Sequence, residues 1–395
     1  MSEWKKVKLG EISQYVNDKI AITATNESNY ISTDSMLKDR GGIIAPESIP
    51  SDGKVTKYQS NDILVSNIRP YFKKIWFSNR EGGCSNDVLV FRARKGIISR
   101  YLYYILSVDT FFEHMMAGAN GTKMPRGNKK LILNYSFDLP PLPTQHRIAT
   151  ILSRYDSLIE NYQKQIKLLE EAAQRLYKEW FVDLHFPDHE NTKIINGVPE
   201  GWEKRKIEEL VNIKSGYAFK SKDWQSKGHP VVKIKDINGT FVLSDSLDCV
   251  PITAAKKANQ FILRTGDLVI AMTGATIGKV GIVTEDNIYT NQRVGKFFVK
   301  DRFILPFLYC YFKQKSTIDL VLKISSSSAA QPNISGSQLG SFVFMYNKEL
   351  LDKYCDKVQY LFQKIIMLQK QARLLTEARD RLLQKLMSGE IEMKV

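Results

Sequence analysis

The stretch WKKVKLGEI at residues 4–12 returns as WEKRKIEEL at residues 202–210, and this repeat reveals how the chain is organised. Trp, two Lys, Glu and two aliphatic positions keep their places at an offset of 198 residues. A slowly drifting offset that persists along most of a chain indicates an internal duplication. Further matches occur at offsets of 205 to 207 residues: 62–65 with 267–270, Asn86 with Asn291, Tyr101 with Phe307, Pro125 with Pro332, and 169–172 with 375–378.

Each half of the duplication contains two regions of different character. The first, about 140 residues long, holds short apolar runs separated by glycine, as at 63–65 and 88–91, which is typical of β-strands. The second carries apolar residues every three or four positions over about five heptads, which predicts a long helix in a coiled coil. The residues predicted to pack between the two helices are Ile159, Tyr162, Ile166, Leu169, Leu176, Leu361, Ile365, Leu368, Leu375 and Leu382.

Proline marks the limits of the first predicted helix. The run PPLP at 140–143 cannot lie inside a helix, and Thr144 can serve as the N-cap. Pro187 and the polar residues after it end the helix. A helix of about 35 residues spans about 50 Å. Each helix can pack on its own preceding segment or on the other helix, and the two equivalent copies favour helix–helix packing.

The sequence therefore predicts an α+β fold with pseudo-twofold duplication. Two mixed α/β domains are joined by two long antiparallel helices that form a coiled coil. The predicted boundaries are 1–143 for the first domain, 144–186 for the first helix, 187–200 for a linker, 201–347 for the second domain, 348–388 for the second helix and 389–395 for a tail.

Composition limits the functional class. The formal net charge is +15, and residues 1–143 and 201–346 carry +6 and +8 of it, with 20 basic and 14 acidic against 20 basic and 12 acidic side chains. A basic surface on both domains indicates a polyanionic partner, nucleic acid first. No apolar run is long enough for a membrane span, and the N-terminus lacks a signal peptide, so we expect a cytoplasmic protein. Four widely spaced cysteines predict buried free thiols.

Catalytic signatures are missing from the sequence. The stretch at 273–280 resembles a phosphate-binding loop, but Thr273 and Val280 occupy the glycine and hydroxyl positions that the loop needs. His185 and His189 are separated by Pro187, so no helix presents both to a metal. Methyltransferase motifs with Pro-Pro-aromatic or Pro-Cys sequences do not occur. We therefore expect a chain without catalytic activity and without a bound metal or cofactor.

Clusters of basic, aromatic and amide side chains around proline and glycine turns are the DNA-binding candidates. Such side chains neutralise phosphates or read base edges, although any one of them can equally be an ordinary solvated residue. The candidates are Arg69, Tyr71, Lys73, Lys74, Lys123, Arg126 and Lys129 in the first domain, and Lys214, Tyr217, Lys220, Thr273, Thr276, Lys279, Gln331 and Asn333 in the second.

These features resemble the specificity subunits of type I restriction-modification systems over nearly the whole chain. The stretch PLPTQHRI at 141–148 resembles the start of that family's first conserved helix, and LYKEWFVD at 176–183 resembles its end. GVPEGW at 197–202 is similar to the start of the second target-recognition domain, and GATIGK at 274–279 with Asn291-Gln292 is similar to motifs within such domains. The first domain departs from this pattern, with NIRP at 67–70 and Asn86-Asp87 in the corresponding places.

The resemblance implies a division of labour. Each domain would read one half of a split, asymmetric sequence in double-stranded DNA, and the helices would set the spacer and dock two modification subunits. Those subunits would bind S-adenosylmethionine and methylate adenine, while restriction subunits would add ATP- and Mg²⁺-dependent translocation and cleavage. The alternative is a non-catalytic adaptor whose basic domains bind acidic proteins.

Overall fold

A computed structural model of the 395-residue chain describes residues 4–121, 123–242, 247–326 and 332–391. The chain divides into two compact units, Met1–Ile159 with Leu375–Val395, and Glu160–Leu374. Each unit therefore combines one mixed domain with part of both long helices. The predicted α+β architecture, duplicated and with two long helices, is confirmed.

The first domain contains two four-stranded sheets. The strands are β1 (Lys5–Lys8), β2 (Ser13–Tyr15), β3 (Lys19–Ala21), β4 (Tyr30–Ile31), β5 (Lys54–Tyr58), β6 (Ile63–Ser66), β7 (Ile75–Phe77), β8 (Gly82–Cys84), β9 (Val88–Ala93) and β10 (Ser136–Leu139). The helices are α1 (Leu9–Ile12), α2 (Ser99–Ile105), α3 (Asp109–Ala117), α4 (Lys129–Ile132) and the long α5 (Leu142–Tyr177). One sheet has the order β2-β9-β6-β7 and is antiparallel, and the other has the order β3-β5-β8-β4 with a parallel β4–β8 pair. β1 pairs with β10 separately.

The second domain repeats this topology. After a hairpin of β11 (Ile194–Ile195) and β12 (Val198–Pro199), its strands are β13 (Glu203–Lys206), β14 (Val211–Ser215), β15 (His229–Val232), β16 (Asp248–Val250), β17 (Ile262–Leu263), β18 (Leu268–Ala271), β19 (Val280–Ile282), β20 (Ile288–Thr290), β21 (Val294–Val299) and β22 (Val343–Tyr346). Its helices are α6 (Ile252–Ala255), α7 (Leu305–Phe312), α8 (Lys315–Ser326), α9 (Gly336–Gly340) and the long α10 (Lys348–Met387).

Strand order shows the duplication directly. The sheet β14-β21-β18-β19 matches β2-β9-β6-β7, and the β13–β22 pair matches β1–β10. In the other sheet, β17-β20-β15 matches β5-β8-β4, including the parallel pair β15–β20. The outer strand differs, because β3 lies beside β5 whereas β16 lies beside β15. The sheets are therefore a frame that the two domains share, and the outer strand is a local variation on it.

An aspartate at the start of the central strand explains one of the sequence matches. The Asp62 carboxylate accepts a hydrogen bond from the Gln59 backbone N–H at 2.9 Å and pairs with Arg92 at 2.7 Å. Asp267, its counterpart, accepts from the Arg264 N–H at 2.8 Å and pairs with the Arg302 guanidinium. Both aspartates are buried, so a cationic partner offsets the cost of burying the charge. The repeated Asp is therefore a turn-closing residue of the frame.

The first long helix begins two residues earlier than predicted. Its first residue is Leu142, so Pro143 lies in the first turn and Thr144 is not the N-cap. Proline is tolerated there because the first backbone N–H groups of a helix have no intrahelical acceptor. Buried Gln145 fixes this start, accepting from the Ile98 N–H at 3.1 Å and donating to the Pro140 carbonyl at 2.9 Å.

The same helix ends earlier than the predicted residue 186. Its regular part stops at Tyr177 and continues as a π-helical turn over Lys178–Val182. Trp180 and Phe181 in this turn are both buried. Leu184 then adopts a left-handed φ of 60°, which takes the chain out of the helix before Pro187 is reached. The second long helix, Lys348–Met387, agrees with its predicted range of 348–388 to within one residue.

The long helices run antiparallel and pack both on each other and on the domains. In the Glu160–Leu374 unit, the Tyr354 hydroxyl donates to the Ala173 carbonyl at 3.1 Å, and the Tyr177 and Tyr354 rings are 5.9 Å apart. The same tyrosines contact Phe307 of α7, at 5.4 and 6.2 Å between ring centroids. In this unit one core therefore contains both helix–helix and helix–domain contacts, so the two alternatives predicted from the sequence occur together.

The other end of the helix pair is closed by a polar contact. In the Met1–Ile159 and Leu375–Val395 unit, the Arg379 guanidinium lies 3.1 Å from the Asp156 carboxylate, which also accepts from the Tyr104 hydroxyl at 2.5 Å. Both side chains are largely buried, at 12% and 13% exposure. The neighbouring apolar contacts come from Leu152, Leu383 and Leu386. Arg379, which interrupts the apolar stripe in the sequence, thus has a specific partner on the facing helix.

The predicted helix-packing residues occupy three environments. Ile166, Ile365 and Leu368 are buried in the core of the second domain, and Ile159 is buried too. Tyr162, Leu169, Leu176 and Leu361 pack half-buried against that core, and Leu382 does the same on the first domain. Leu375 is half-exposed.

Three of the cysteines, Cys84, Cys310 and Cys355, are buried free thiols as predicted. Cys249 is half-exposed instead, because β16 is the outermost strand of its sheet. Among the described residues, no helix combines the length and apolarity that a membrane span requires.

Candidate DNA interface

The turn after β6 meets a distant segment of the first domain. The Arg69 N–H donates to the Pro125 carbonyl at 2.8 Å, and the Gly127 N–H donates to the Asn67 carbonyl at 3.2 Å. Ile68 and Arg126, which lie between these two hydrogen bonds, form an isolated antiparallel β-bridge. Two candidate clusters that lie more than 50 positions apart in the sequence are thus brought together. We call this meeting of segments the first junction.

The second domain contains the same arrangement. The Gly274 N–H donates to the Pro332 carbonyl at 3.2 Å, and the Ile334 N–H donates to the Met272 carbonyl at 3.0 Å. Thr273 and Asn333 form the bridge. Both backbone hydrogen bonds of the first junction thus recur at equivalent residues in this second junction. The predicted match of Pro125 with Pro332 is therefore confirmed.

A third segment, the turn that leads into β9 or β21, completes each junction. The Asn67 N–H donates to the Asp87 carbonyl at 2.8 Å, and the Met272 N–H donates to the Arg293 carbonyl at 3.0 Å. These bonds show that Asp87 in the first domain is equivalent to Arg293 in the second, and that Ser85 is equivalent to Asn291. The predicted match of Asn86 with Asn291 is therefore wrong by one residue, because the segment between β19 and β20 is one residue longer than the segment between β7 and β8.

The first-domain candidates differ in how far they are free to bind a ligand. Lys73 forms an ion pair with Asp109 at 2.9 Å. The Lys74 ammonium donates to the Thr33 carbonyl at 2.6 Å, and burial, helped by neighbouring Lys38, lowers its pKa. Arg69 is half-buried in a left-handed conformation with φ of 48°. Tyr71, Lys123, Arg126 and Lys129 are exposed. Lys73 and Lys74 thus stabilise the turn, whereas the four exposed side chains are accessible to a ligand.

In the second domain, Lys279 and Asn333 are exposed at the junction. The Thr276 hydroxyl donates to the Ile234 carbonyl at 3.2 Å, so it closes the loop on its own domain. The Thr273 hydroxyl oxygen is buried and has no hydrogen-bond partner within the described part of the chain. Gln331 lies outside the described residues. The loop is followed by strand β19, so it lacks the helix N-terminus on which a nucleotide phosphate would rest.

The remaining second-domain candidates are Lys214 on β14, and Tyr217 and Lys220 in the segment that follows this strand. The Tyr217 N–H donates to the Thr290 carbonyl at 2.9 Å beside the turn that carries Arg293. The two segments can come this close only because residue 216 is glycine, since a Cβ there would lie 2.3 Å from the Thr290 carbonyl oxygen. Lys214 and Lys220 on either side are exposed, and Tyr217 is half-buried. Tyr217 therefore adjoins the junction, with one lysine to each side of it in the sequence.

Two residues of the junctions were not predicted from the sequence. Asp87 forms an ion pair with Arg126 at 3.1 Å, and Arg293 is exposed at the equivalent turn. The signal that could have identified Arg293 is its place directly after the Asn-Gln pair. Its counterpart in the first domain is an acid, so the charge pattern itself is not repeated.

Comparison with known proteins identifies the class of protein. The family model described as the type I restriction modification DNA specificity domain matches residues 1–171 and 199–346. The chain therefore belongs to this family, as the sequence resemblance predicted. It is a specificity subunit of the type I restriction-modification class with two recognition domains.

Relatives match over nearly the full length. The MjaVIII type I restriction enzyme specificity subunit of Methanocaldococcus jannaschii is 26% identical, with 99% of this chain and 94% of the relative covered. The HindI specificity subunit of Haemophilus influenzae is 23% identical over 99% of this chain and all of the relative. The crystal structure of the type I system S subunit from M. genitalium shares the fold, with a TM-score of 0.58 at 19% identity over 99% of this chain and 97% of that one.

Proposed function

We propose that each domain of this chain reads one half of a bipartite, asymmetric DNA sequence through its junction. The observation that carries the proposal is that one three-segment backbone arrangement is built twice and bears different side chains each time. Equal backbone frames would approach DNA in the same way, and unequal side chains would select different bases. Two half-sites multiply specificity, because each mismatched base pair costs about 1–3 kcal/mol.

The long helices would set the unread spacer and dock two modification subunits. The first helix has 36 residues and the second has 40, which correspond to about 54 and 60 Å at about 1.5 Å per residue. In this proposal the modification subunits bind S-adenosylmethionine and methylate adenine, and restriction subunits supply ATP- and Mg²⁺-dependent steps. The chain itself would contribute recognition and assembly and no catalytic group.

Salt dependence of DNA binding tests the binding step. We expect the logarithm of the affinity of the full chain for duplex DNA to fall linearly with the logarithm of salt concentration. Each neutralised phosphate contributes a slope of about −0.9, so Lys129→Ala should make the slope shallower by about one unit. Fluorescence anisotropy over a salt series measures this. An affinity for DNA that is absent, or independent of salt, would instead favour an adaptor that binds acidic proteins.

A further inference from the structure

The two junctions share a backbone arrangement, and two of the positions at which their side chains differ are accessible to solvent. On the turn before the strand, Asp87 corresponds to Arg293, and we call this the turn position. On the facing segment, Arg126 corresponds to Asn333, and we call this the bridge position. At these two positions each junction therefore carries one arginine, but on opposite segments; Arg69 of the first junction lies outside them and is half-buried.

Hydrogen bonds fix the correspondence at the turn position independently of sequence alignment. The Asp87 N–H donates to the Ser85 hydroxyl at 3.3 Å, and the Arg293 N–H donates to the Asn291 side-chain oxygen at 3.2 Å. The next residue in each turn donates its N–H to the Ser85 or Asn291 carbonyl at 2.9 Å. The backbone at this position is thus held on a rigid frame, which is what a base-reading side chain requires.

In the first junction the two side chains form a pair. The Arg126 guanidinium lies 3.1 Å from the Asp87 carboxylate, and the arginine is 58% exposed. An exposed ion pair of this kind contributes little to stability, so the fold does not depend on it. Its effect is to orient the guanidinium while more than half of the arginine side chain stays accessible to solvent. An oriented guanidinium matches the O6 and N7 acceptors of guanine in the major groove.

In the second junction the two side chains are free. Within the described part of the chain, the side chains of Arg293 and Asn333 make no hydrogen bond or ion pair, and both residues are exposed. Arginine suits guanine, and asparagine can pair with the N6 and N7 groups of adenine. The buried, unpaired Thr273 hydroxyl lies beside Asn333 in the bridge. This junction therefore offers two base-reading side chains where the first offers one.

We propose that the turn and bridge positions determine which bases each domain reads. Arg126, oriented by Asp87, contacts a guanine in the first half-site, and Arg293 and Asn333 contact a guanine and an adenine in the second. This assignment rests on the proposed function and goes beyond it by placing base selection at four named side chains. Asp87 is a positioning residue, because it acts through Arg126.

Methylome sequencing of cells that contain the chain and its modification subunit provides the test, first for the wild type and then for Arg126→Ala and Arg293→Ala. With Arg126→Ala we expect one guanine of the first half-sequence to lose its preference by about 10- to 100-fold, while the second half-sequence stays intact. Arg293→Ala should do the reverse. Arg126→Lys should fail to restore the preference, since an ammonium cannot make the bidentate contact.

Matched variants separate base reading from simple charge. Lys129→Ala, a nearby exposed cation, should weaken binding to all sequences and leave the motif unchanged. Asp87→Asn should lower the preference for the same guanine that Arg126→Ala affects. Where methylation falls below detection, competition between duplexes with each of the four bases, bound to the purified complex, gives the same readout.

The possible results separate a failure of the proposed function from a failure of the base-reading assignment. A wild-type chain that yields no bipartite motif contradicts the proposed function. A wild-type bipartite motif whose halves both remain stringent in Arg126→Ala and Arg293→Ala overturns the assignment alone. Relaxation in the half that belongs to the other domain overturns it as well.

Discussion

Insertion of one heptad into each long helix is expected to lengthen the spacer of the recognised DNA site by about three base pairs. Residues 160–166 would be repeated after Ile159, and residues 368–374 would be repeated after Leu374, one turn beyond the Asp156–Arg379 ion pair in each helix. Seven residues add about 10 Å to a helix, and duplex DNA rises about 3.4 Å per base pair. Methylome sequencing should return both half-sequences unchanged.

A matched variant carries the heptad in the first helix only. It shifts one helix by a heptad against the other, so the Tyr354–Ala173 and Asp156–Arg379 contacts cannot both form, and it should fail to give a methylated motif. A double insertion that left the spacer at its original length would contradict the role of the helices as a spacer. A changed half-sequence would contradict the assignment of base reading to the domains.

Tyr354→Ala is expected to cause the largest loss of stability of any single change considered. The Tyr354 side chain is fully buried, and its ring lies 5.4 Å from Phe181 and 6.2 Å from Trp180 and Phe307 between centroids. Removing a large buried ring costs about 3–5 kcal/mol of unfolding free energy. Denaturant unfolding of the full chain measures the loss, and hydrogen exchange should locate it in the Glu160–Leu374 unit.

Tyr354→Phe is the control for this change. It keeps the ring and removes the hydroxyl, which donates to the Ala173 carbonyl and also interacts with the Cys310 thiol, so we expect a loss of about 0.5–1.5 kcal/mol. If Tyr354→Ala cost no more than Tyr354→Phe, the ring would not be joining both helices to the second domain. Faster exchange confined to the other unit would be equally inconsistent with this packing.

The sequence predicts the frame well because its repeats are physical constraints. Pro125 and Pro332 recur at the same place in the two junctions, where the carbonyl of each accepts a closing bond, and Asp62 and Asp267 recur because each closes a turn and holds a cation. The second long helix was predicted to within a residue because its apolar stripe has a regular period. Periodic and duplicated features can therefore be recognised from a single sequence.

The details of the candidate site are less predictable, since they depend on contacts between distant segments. Lys73 and Lys74 were predicted as DNA contacts from charge, whereas Asp109 and the Thr33 carbonyl already hold them. Arg293 gives no repeated signal in the sequence, because its counterpart in the first domain is the acidic Asp87 and the Asn86–Asn291 match is one residue out of step with that correspondence. A side chain's availability is set by its neighbours in space, which composition and spacing do not reveal.

Methylome sequencing with the first domain exchanged tests whether the two domains read DNA independently. Residues 1–143 would be replaced by the equivalent recognition domain of another specificity subunit, and the chain would be expressed with its modification subunit. The wild type should methylate a split motif with a fixed spacer, and the exchange should replace only one half of it. A continuous motif, or a change in both halves, would contradict the account of two independent DNA-reading domains.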